Sequence, residues 1–277
     1  MTIVAHELKA SYAFIERNFF LTRRYWGWEV AFLVYSVAGA LAVALIGQSQ
    51  DDQTLLLTLV IGAIFWNYLS ILFSFIAETV AWERWEGTLE YTFMAPVSRL
   101  THLAGVSLFV TLYSVARTVV ITAGVALFVD FDLSRANLGG LFVVLLVSSL
   151  AFIGLGLMAA ALPVMSPERG AEATNIFQGV LLLVSGVYYP VEVLPAWLQP
   201  VAYISPATYA LSASRKLIGI GESASGPAQG AGVPLSAVTF ELVVLLLMGV
   251  VMIPLGLYVF GIVERWAKRT GKLKRTG

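Results

Sequence analysis

The chain has 277 residues, of which 58% are hydrophobic and only 12% are charged, and its mean hydropathy is +0.83. Soluble domains are about half apolar and about a quarter charged, so this composition excludes an ordinary soluble domain and indicates an integral membrane protein. The net charge of zero gives no reason to expect a nucleic-acid partner, and the absence of cysteine excludes disulfides and thiol chemistry.

The first predicted element is a helix that lies on the membrane surface and does not cross it. Between residues 6 and 25, apolar side chains recur at steps of four, three and four, at Leu8, Tyr12, Ile15 and Phe19. Charged residues occupy the other faces, a pattern typical of an amphipathic helix at the membrane interface. Residues 1–27 are therefore predicted to form a cytoplasmic interfacial helix.

Six apolar runs follow, each long enough at about 1.5 Å per residue to cross a hydrocarbon core about 30 Å thick. A single spanning segment must satisfy its own backbone hydrogen bonds, so each run is expected to be a helix. The predicted fold class is an all-α integral membrane protein with a six-span transmembrane domain over residues 28–265. The spans lie approximately at residues 28–47, 54–77, 103–129, 138–165, 171–189 and 236–263.

Residues 78–99, between the second and third spans, form a charged and aromatic insert that is the most informative part of the chain. Its helical pattern places Ala81, Trp82, Trp85 and Leu89 on one face, and Glu83, Arg84, Glu86 and Glu90 on another. Gly87 and Thr88 both disfavour a helix, which predicts a break near them. Two tryptophans on a short helix suit insertion into the groove of a partner. The alternative is an amphipathic helix resting on lipid, which the glutamates oppose because anionic lipid repels them.

One charge, Arg117, lies deep within a predicted span. A charged residue at a helix centre costs about 2.5 to 3.5 kcal/mol on the scale of membrane insertion, so Arg117 should face protein or water. It either contacts an anionic group of a substrate or holds Asn67 or a backbone carbonyl in the bundle, and the structural role is slightly favoured. Trp66, beside Asn67, is a further candidate for lining a route, although aromatic residues in spans more often serve helix packing.

Two later segments lie between spans. The turn Ser166-Pro167-Glu168-Arg169-Gly170 has the composition of a helix start, with a serine cap and a proline in the first turn. Residues 190–235 are predicted to lie outside the cell, with one short helix from near Pro195, a second capped by Ser205, and a mobile loop over residues 222–234.

The basic residues set the predicted orientation. With both ends in the cytoplasm, thirteen lysines and arginines lie inside, three lie outside and Arg117 lies within a span, which accounts for all seventeen. This asymmetry follows the positive-inside rule. Residues 266–277 are expected to form a basic cytoplasmic tail that anchors the last helix against anionic lipid, rather than one that binds nucleic acid.

The residues of the insert resemble the permease subunits of type-2 ABC exporters. Trp82-Glu83-Arg84-Trp85-Glu86-Gly87-Thr88-Leu89-Glu90, followed by a Pro-x-Ser-Arg end at residues 96–99, is similar to the pattern of that family, although Trp85 stands where a charged residue is more usual. The resemblance extends to the interfacial helix, the six spans, the proline-rich external region and Arg215. It implies that the insert is a coupling helix seated in an ATPase subunit, and that Glu168 and Arg169 make a further contact.

The same resemblance implies an exporter permease in the cytoplasmic (inner) membrane of a prokaryote, with an ABC ATPase subunit as partner and ATP and Mg as cofactors of that subunit. The chain contains no Gly-x-x-x-x-Gly-Lys-Ser/Thr phosphate loop, so ATP hydrolysis is expected in the partner. A half-sized bundle favours a dimer with a second copy. The substrate is expected to be an amphipathic drug, lipid or glycan-type molecule.

Three other classes compete with this hypothesis. An ion-coupled secondary transporter usually places acidic residues or histidine near the midplane, whereas the acids here lie near span ends. An intramembrane enzyme lacks a catalytic constellation, because neither of the two histidines pairs with a buried serine. A structural membrane subunit that transports nothing remains open, and copurification of an ATPase would discriminate it.

Overall fold

A computed structural model describes residues 3–50, 52–95, 97–131, 133–134, 136–166, 169–223, 226–229 and 232–271. The long helices are α1 (Ile3–Arg24), α2 (Trp26–Gln48), α3 (Gln53–Trp85), α5 (Arg99–Ala126), α6 (Leu138–Ala159) and α11 (Thr239–Thr270). The shorter helices are α4 (Leu89–Met94), α7 (Ala161–Met165), α8 (Gly170–Val184), α9 (Gln199–Ala202) and α10 (Pro206–Leu217). The described chain is thus an all-α membrane protein, as predicted.

Five helices are long and apolar enough to cross a membrane, namely α2, α3, α5, α6 together with α7, and α11. The fifth predicted span corresponds to α8, which is apolar but has only 15 residues. At about 1.5 Å per residue it is about 22 Å long, shorter than a hydrocarbon core of about 30 Å. Five of the six predicted spans are therefore confirmed among the described residues. The remaining one, the fifth span in chain order, stays a prediction.

Helix α3 lies at the centre of the bundle and packs against α2, α5, α6, α8 and α10. Tyr68 and Phe73 of α3 are fully buried, and the Tyr68 hydroxyl lies 2.5 Å from the Ser149 hydroxyl of α6. Helices α6 and α11 meet along glycines; a Cβ on Gly154 would lie 2.5 Å from the Met252 carbonyl carbon. Small residues permit such close packing of membrane helices, so these positions build the core.

The N-terminal helix α1 packs along the start of α5, where the Ser11 hydroxyl donates to the Thr101 carbonyl at 3.0 Å. Its predicted apolar face is uncovered, since Leu8, Tyr12 and Phe19 are all exposed. A helix that packs on protein with one face and presents large apolar side chains on another has the arrangement that membrane-surface helices require.

The external region contains the predicted short helices, α9 and α10. Ser205 stands at the N-cap of α10, yet its hydroxyl makes no capping bond and lies instead 2.7 Å from the Ser185 hydroxyl. Arg215 of α10 donates to the Gly186 and Val187 carbonyls at 2.9 and 2.8 Å, and burial lowers its pKa to about 10. The mobile loop predicted from residue 222 was wrong in part, because Ile220–Ser223 pairs antiparallel with Gly226–Gln229 in a short hairpin.

Candidate coupling site and intramembrane charge cluster

The predicted insert begins inside α3, which continues without interruption to Trp85. The helix ends at Gly87, whose φ of 76° lies in the left-handed region that glycine adopts at low cost. The Gly87 amide donates to the Arg84 carbonyl at 3.1 Å, and the Thr88 amide donates to the Glu83 carbonyl at 2.8 Å. This pair of bonds is a Schellman motif, and it confirms the break predicted at Gly87 and Thr88.

The two tryptophans of the insert are uncovered. Trp82 and Trp85 are 58% and 71% exposed, and their rings meet edge to face with centroids 6.1 Å apart. Leu89 is fully buried, so the prediction that it shares a face with the tryptophans was wrong. The prediction assumes one continuous helix from Ala81 to Leu89, whereas the left-handed turn at Gly87 changes the direction of the chain before Leu89.

Glu83 is buried, whereas Glu86, which the sequence pattern placed on the same helical face, is exposed. Its Oε1 accepts a hydrogen bond from Arg17 of α1 and lies 3.2 Å from Nε2 of His102 in α5. The Phe14 ring of α1 packs on His102 with centroids 4.5 Å apart. One carboxylate therefore joins α3 to both the interfacial helix and the start of α5.

Arg84 is buried next to Glu83 and points to a different element. Its Nη1 donates to the Pro163 carbonyl at 2.8 Å and also to the Val164 carbonyl, both in α7. Proline at residue 163 has no N–H, and its ring clashes with the carbonyl four residues before it, which accounts for the break between α6 and α7. Arg84 thereby connects the insert to the helix that leads into the second cytoplasmic turn.

Several other residues of the insert lie just before α4 or within it. Glu86 and Thr88 are exposed, Glu90 is half-buried, and Tyr91 and Met94 of α4 are 77% and 81% exposed.

Arg99 fixes the end of the insert. Its Nη1 donates to the Thr92 carbonyl at 2.8 Å, and its Nε donates to Glu264 of α11 at 3.0 Å. The predicted insert thus has an uncovered outer surface and a set of buried charges that bind it to four other helices, α1, α5, α7 and α11.

The turn predicted to be the second cytoplasmic one is described only in part. Helix α8 is described from Gly170, whose amide donates to the Ser166 carbonyl at 2.9 Å, and the helix start predicted at Ser166 stays a prediction. Arg169 is exposed. Glu168 and Pro167 lie outside the described residues.

Arg117 belongs to a charge cluster at the junction of α2, α3 and α5. Its Nη1 lies 3.9 Å from Oε2 of Glu29, and the same carboxylate accepts a hydrogen bond from Tyr113. Arg117 also donates to the Phe32 carbonyl and to the Ser36 hydroxyl, each at 2.9 Å. The predicted carbonyl partner is therefore present.

Asn67 and Trp66 are half-buried on α3. No described residue makes a hydrogen bond to the Asn67 side-chain oxygen, so the alternative in which Arg117 holds Asn67 does not apply to this structure.

Sequence reasoning missed four participants in these sites. Glu29 and His102 were assigned only to span ends, and Arg17 only to the polar side of α1. Their contacts with Glu83 and Arg117 follow from tertiary packing, which sequence periodicity does not reveal. Tyr91 was detectable in principle, because it follows the Gly87 break and a large exposed aromatic residue there suits a partner.

Two comparisons with known proteins bear on this architecture. The family described as ABC-2 type transporter matches residues 10–218. The chain is also 31% identical over 91 residues to the linearmycin resistance permease protein LnrN of Bacillus subtilis (strain 168). That match covers 33% of this chain and 23% of the relative, so it spans less than a quarter of the relative's length. The family match includes α2 to α10 and the whole predicted insert, and the chain therefore belongs to the ABC-2 type transporter family.

Proposed function

We propose that the chain is the permease subunit of an ATP-driven exporter and works as a dimer with a separate nucleotide-binding subunit. The observation that carries this proposal is the construction of the insert. Its outer surface presents large uncovered side chains, while Glu83 and Arg84 behind that surface are buried and bonded to other helices. A partner that moves the insert moves those helices with it.

The outer surface has the composition of a docking site for a protein. Tryptophan and tyrosine are enriched among the residues that dominate binding energy at interfaces, and Trp82, Trp85, Tyr91 and Met94 are all exposed. Glu86 is exposed beside them and would repel anionic lipid, so a protein partner with basic residues fits the surface better. The ATPase subunit would bind there, near Arg169 and Glu168, and would hold ATP and Mg.

A second copy of the chain is part of the proposal. Helix α8 is apolar overall, yet Asn175 is exposed on it, and the space next to Gly179 is open. A polar side chain on the surface of a membrane helix is stabilised when it faces protein or water. Pairing of two copies would cover such positions and enclose a path between them.

Location and direction complete the proposal. The excess of basic residues in the segments that include both termini supports a cytoplasmic position for the termini, and the proposed membrane is the inner membrane of a prokaryote. The insert would then lie on the side where ATP is available. A relative named as a resistance permease supports export, because a permease can give resistance by removing a compound from the cell, and an amphipathic substrate is part of the proposal.

The test is copurification followed by activity. The tagged chain is purified with its neighbours in mild detergent, reconstituted into vesicles, and assayed for ATP hydrolysis and for ATP-dependent movement of an amphipathic dye. An ATPase that copurifies and drives transport supports the proposal. Purification of the chain without an ATPase, together with transport driven by an ion gradient, would support the ion-coupled alternative. Absence of both activities would favour a structural subunit.

A further inference from the structure

A row of polar side chains runs along the half of α3 that is nearer to its C-terminus. Asn67, Ser70 and Ser74 are half-buried, and Glu78 is exposed, at successive spacings of three, four and four residues. These spacings place the four side chains in one row along the helix. We call this row the polar stripe. At about 1.5 Å per residue it is about 16 Å long.

The polar stripe has unused hydrogen-bonding capacity. The Asn67 side-chain oxygen and the Ser70 hydroxyl are buried atoms that no described residue contacts with a hydrogen bond. Buried polar atoms are nearly always paired in proteins, because an unpaired group costs about 1 to 3 kcal/mol. Both atoms are closed to solvent in this structure, so a bound molecule would reach them only after the half-buried Asn67 and Ser70 side chains turn outward.

One carboxyl group, that of Glu78, stands without a partner at the C-terminal end of the polar stripe. The charges of Arg117 and Glu29 act on it, but Arg117 is 3.9 Å from Glu29 and is further held by Tyr113, Phe32 and Ser36. Glu78 itself makes no hydrogen bond or ion pair with any described residue. Its exposed side chain is therefore available to pair with a cation.

Aromatic rings adjoin this charge. Phe75, one turn from Glu78 on α3, packs on Phe109 and Tyr113 of α5 with centroids 5.7 and 5.6 Å apart. Aromatic faces beside a carboxylate favour organic cations, because the ring quadrupole attracts positive charge. Glu78 also lies near the cytoplasmic boundary of the hydrocarbon, since it follows the external start of α3 by 25 residues, or about 38 Å.

We infer that the polar stripe binds a membrane-embedded amphipath with an alkylammonium head group, which pairs with Glu78. A hydroxyl group of such a molecule would donate to the Asn67 side-chain oxygen, a hydroxyl or carbonyl oxygen would accept from the Ser70 hydroxyl, and the apolar part would remain in the hydrocarbon. A head group at the depth of Glu78 enters from the cytoplasmic leaflet. This inference rests on the proposed function, because it names the class of substrate that the permease would transport. It also adds Ser70, Ser74 and Glu78 to Asn67 as residues that would line the transport path.

The test uses the full chain in nanodiscs of phosphatidylcholine and two photoreactive probes with the same twelve-carbon chain. One probe ends in a primary ammonium and the other in a hydroxyl. Labelled positions are mapped by mass spectrometry, and apparent affinities are measured by competition with the probe lacking its photoreactive group. We expect the ammonium probe to label the region of residues 67–78 and to bind at least tenfold more tightly than the alcohol.

Glu78→Gln is the informative variant, and Glu86→Gln is its matched control, since both glutamates are exposed and belong to the same end of α3. Glu78→Gln should reduce affinity for the ammonium probe at least tenfold and leave affinity for the alcohol unchanged, whereas Glu86→Gln should change neither. Equal affinities of the two probes for the unaltered chain would overturn the inference, and this measurement needs no variant to fold.

Loss of ammonium labelling when phosphatidylethanolamine replaces phosphatidylcholine would support the inference, because the head group of phosphatidylethanolamine is itself a primary alkylammonium. One further outcome would overturn it. Dissociation of a dimer by Glu78→Gln, without a change in probe affinity, would show that Glu78 pairs with a second copy. Because binding is measured without ATP, failure of this inference is separate from failure to find an ATPase.

Discussion

Glu83→Gln tests most directly the contacts that the buried Glu83 carboxylate makes with Arg17 of α1 and His102 of α5. Glutamine keeps the size of the side chain and one oxygen acceptor but removes the negative charge. The carboxylate bonds to Arg17, whose side chain is 33% exposed, and lies 3.2 Å from His102, whose side chain is 1% exposed. Loss of the charge leaves both groups without their anionic partner inside the bundle.

The expected magnitude follows from these contacts. A hydrogen bond to a charged group contributes about 1.5 to 3 kcal/mol, and removal of one partner of a buried ion pair costs about 3 to 5 kcal/mol. Water reaches Arg17 and recovers part of its solvation, and the glutamine oxygen still accepts one bond. We therefore expect Glu83→Gln to lower the free energy of unfolding by about 2 kcal/mol.

The assay is reversible unfolding in mixed micelles, with the fraction folded followed by circular dichroism. Glu86→Gln serves as the control, because Glu86 lies three residues further along the chain and is exposed. Its expected effect is within about 0.5 kcal/mol of zero. If Glu83→Gln and Glu86→Gln destabilise the chain equally, the contacts of Glu83 that link α1, α3 and α5 do not stabilise the fold, and the reasoning is refuted.

Three other substitutions test separate features. Gly87→Ala forces a Cβ into the left-handed turn and should destabilise the fold by about 1 to 2 kcal/mol in the same unfolding assay, and no change would argue against the turn. Gly154→Val should push α6 away from α11 and lower the free energy of unfolding by about 1 to 3 kcal/mol. Gly179→Ala, where the space is open, should leave that free energy nearly unchanged. Equal effects of the two substitutions would contradict the close packing at Gly154. Arg117→Leu removes the cation that faces Glu29, whose carboxylate then keeps only the bond from Tyr113, and should reduce the yield of folded chain from membranes. A yield equal to that of the unaltered chain would indicate a role in substrate binding instead.

The sequence supports the architecture well because membrane helices have a strong one-dimensional signal. Length and hydropathy alone located five spans, and the spacing of Leu8, Tyr12 and Phe19 located the uncovered face of α1. The break at Gly87 was also predictable, since glycine and a β-branched residue together disfavour a helix. In each case the decisive interaction lies within a few residues of the chain.

The buried charges could not be predicted in the same way. Periodicity grouped Glu83 and Arg84 with Glu86 and Glu90 on one charged face, and charged residues of an amphipathic helix mostly face water, yet Glu83 and Arg84 are buried. Their burial depends on partners 66 and 79 residues away, Arg17 and Pro163, which only the fold brings near. The pairing of Arg117 with Glu29 has the same origin.

The central claim is that a cytoplasmic ATPase binds the outer surface of the insert. The most direct measurement replaces Trp85 with a photoreactive amino acid in intact cells and identifies what becomes crosslinked, with Trp197 in the external region as the control position. The account predicts a crosslink between Trp85 and an ATPase subunit and none between Trp197 and that subunit. Crosslinks from Trp85 to phospholipid alone, or access to Trp85 from outside the cell, would contradict it.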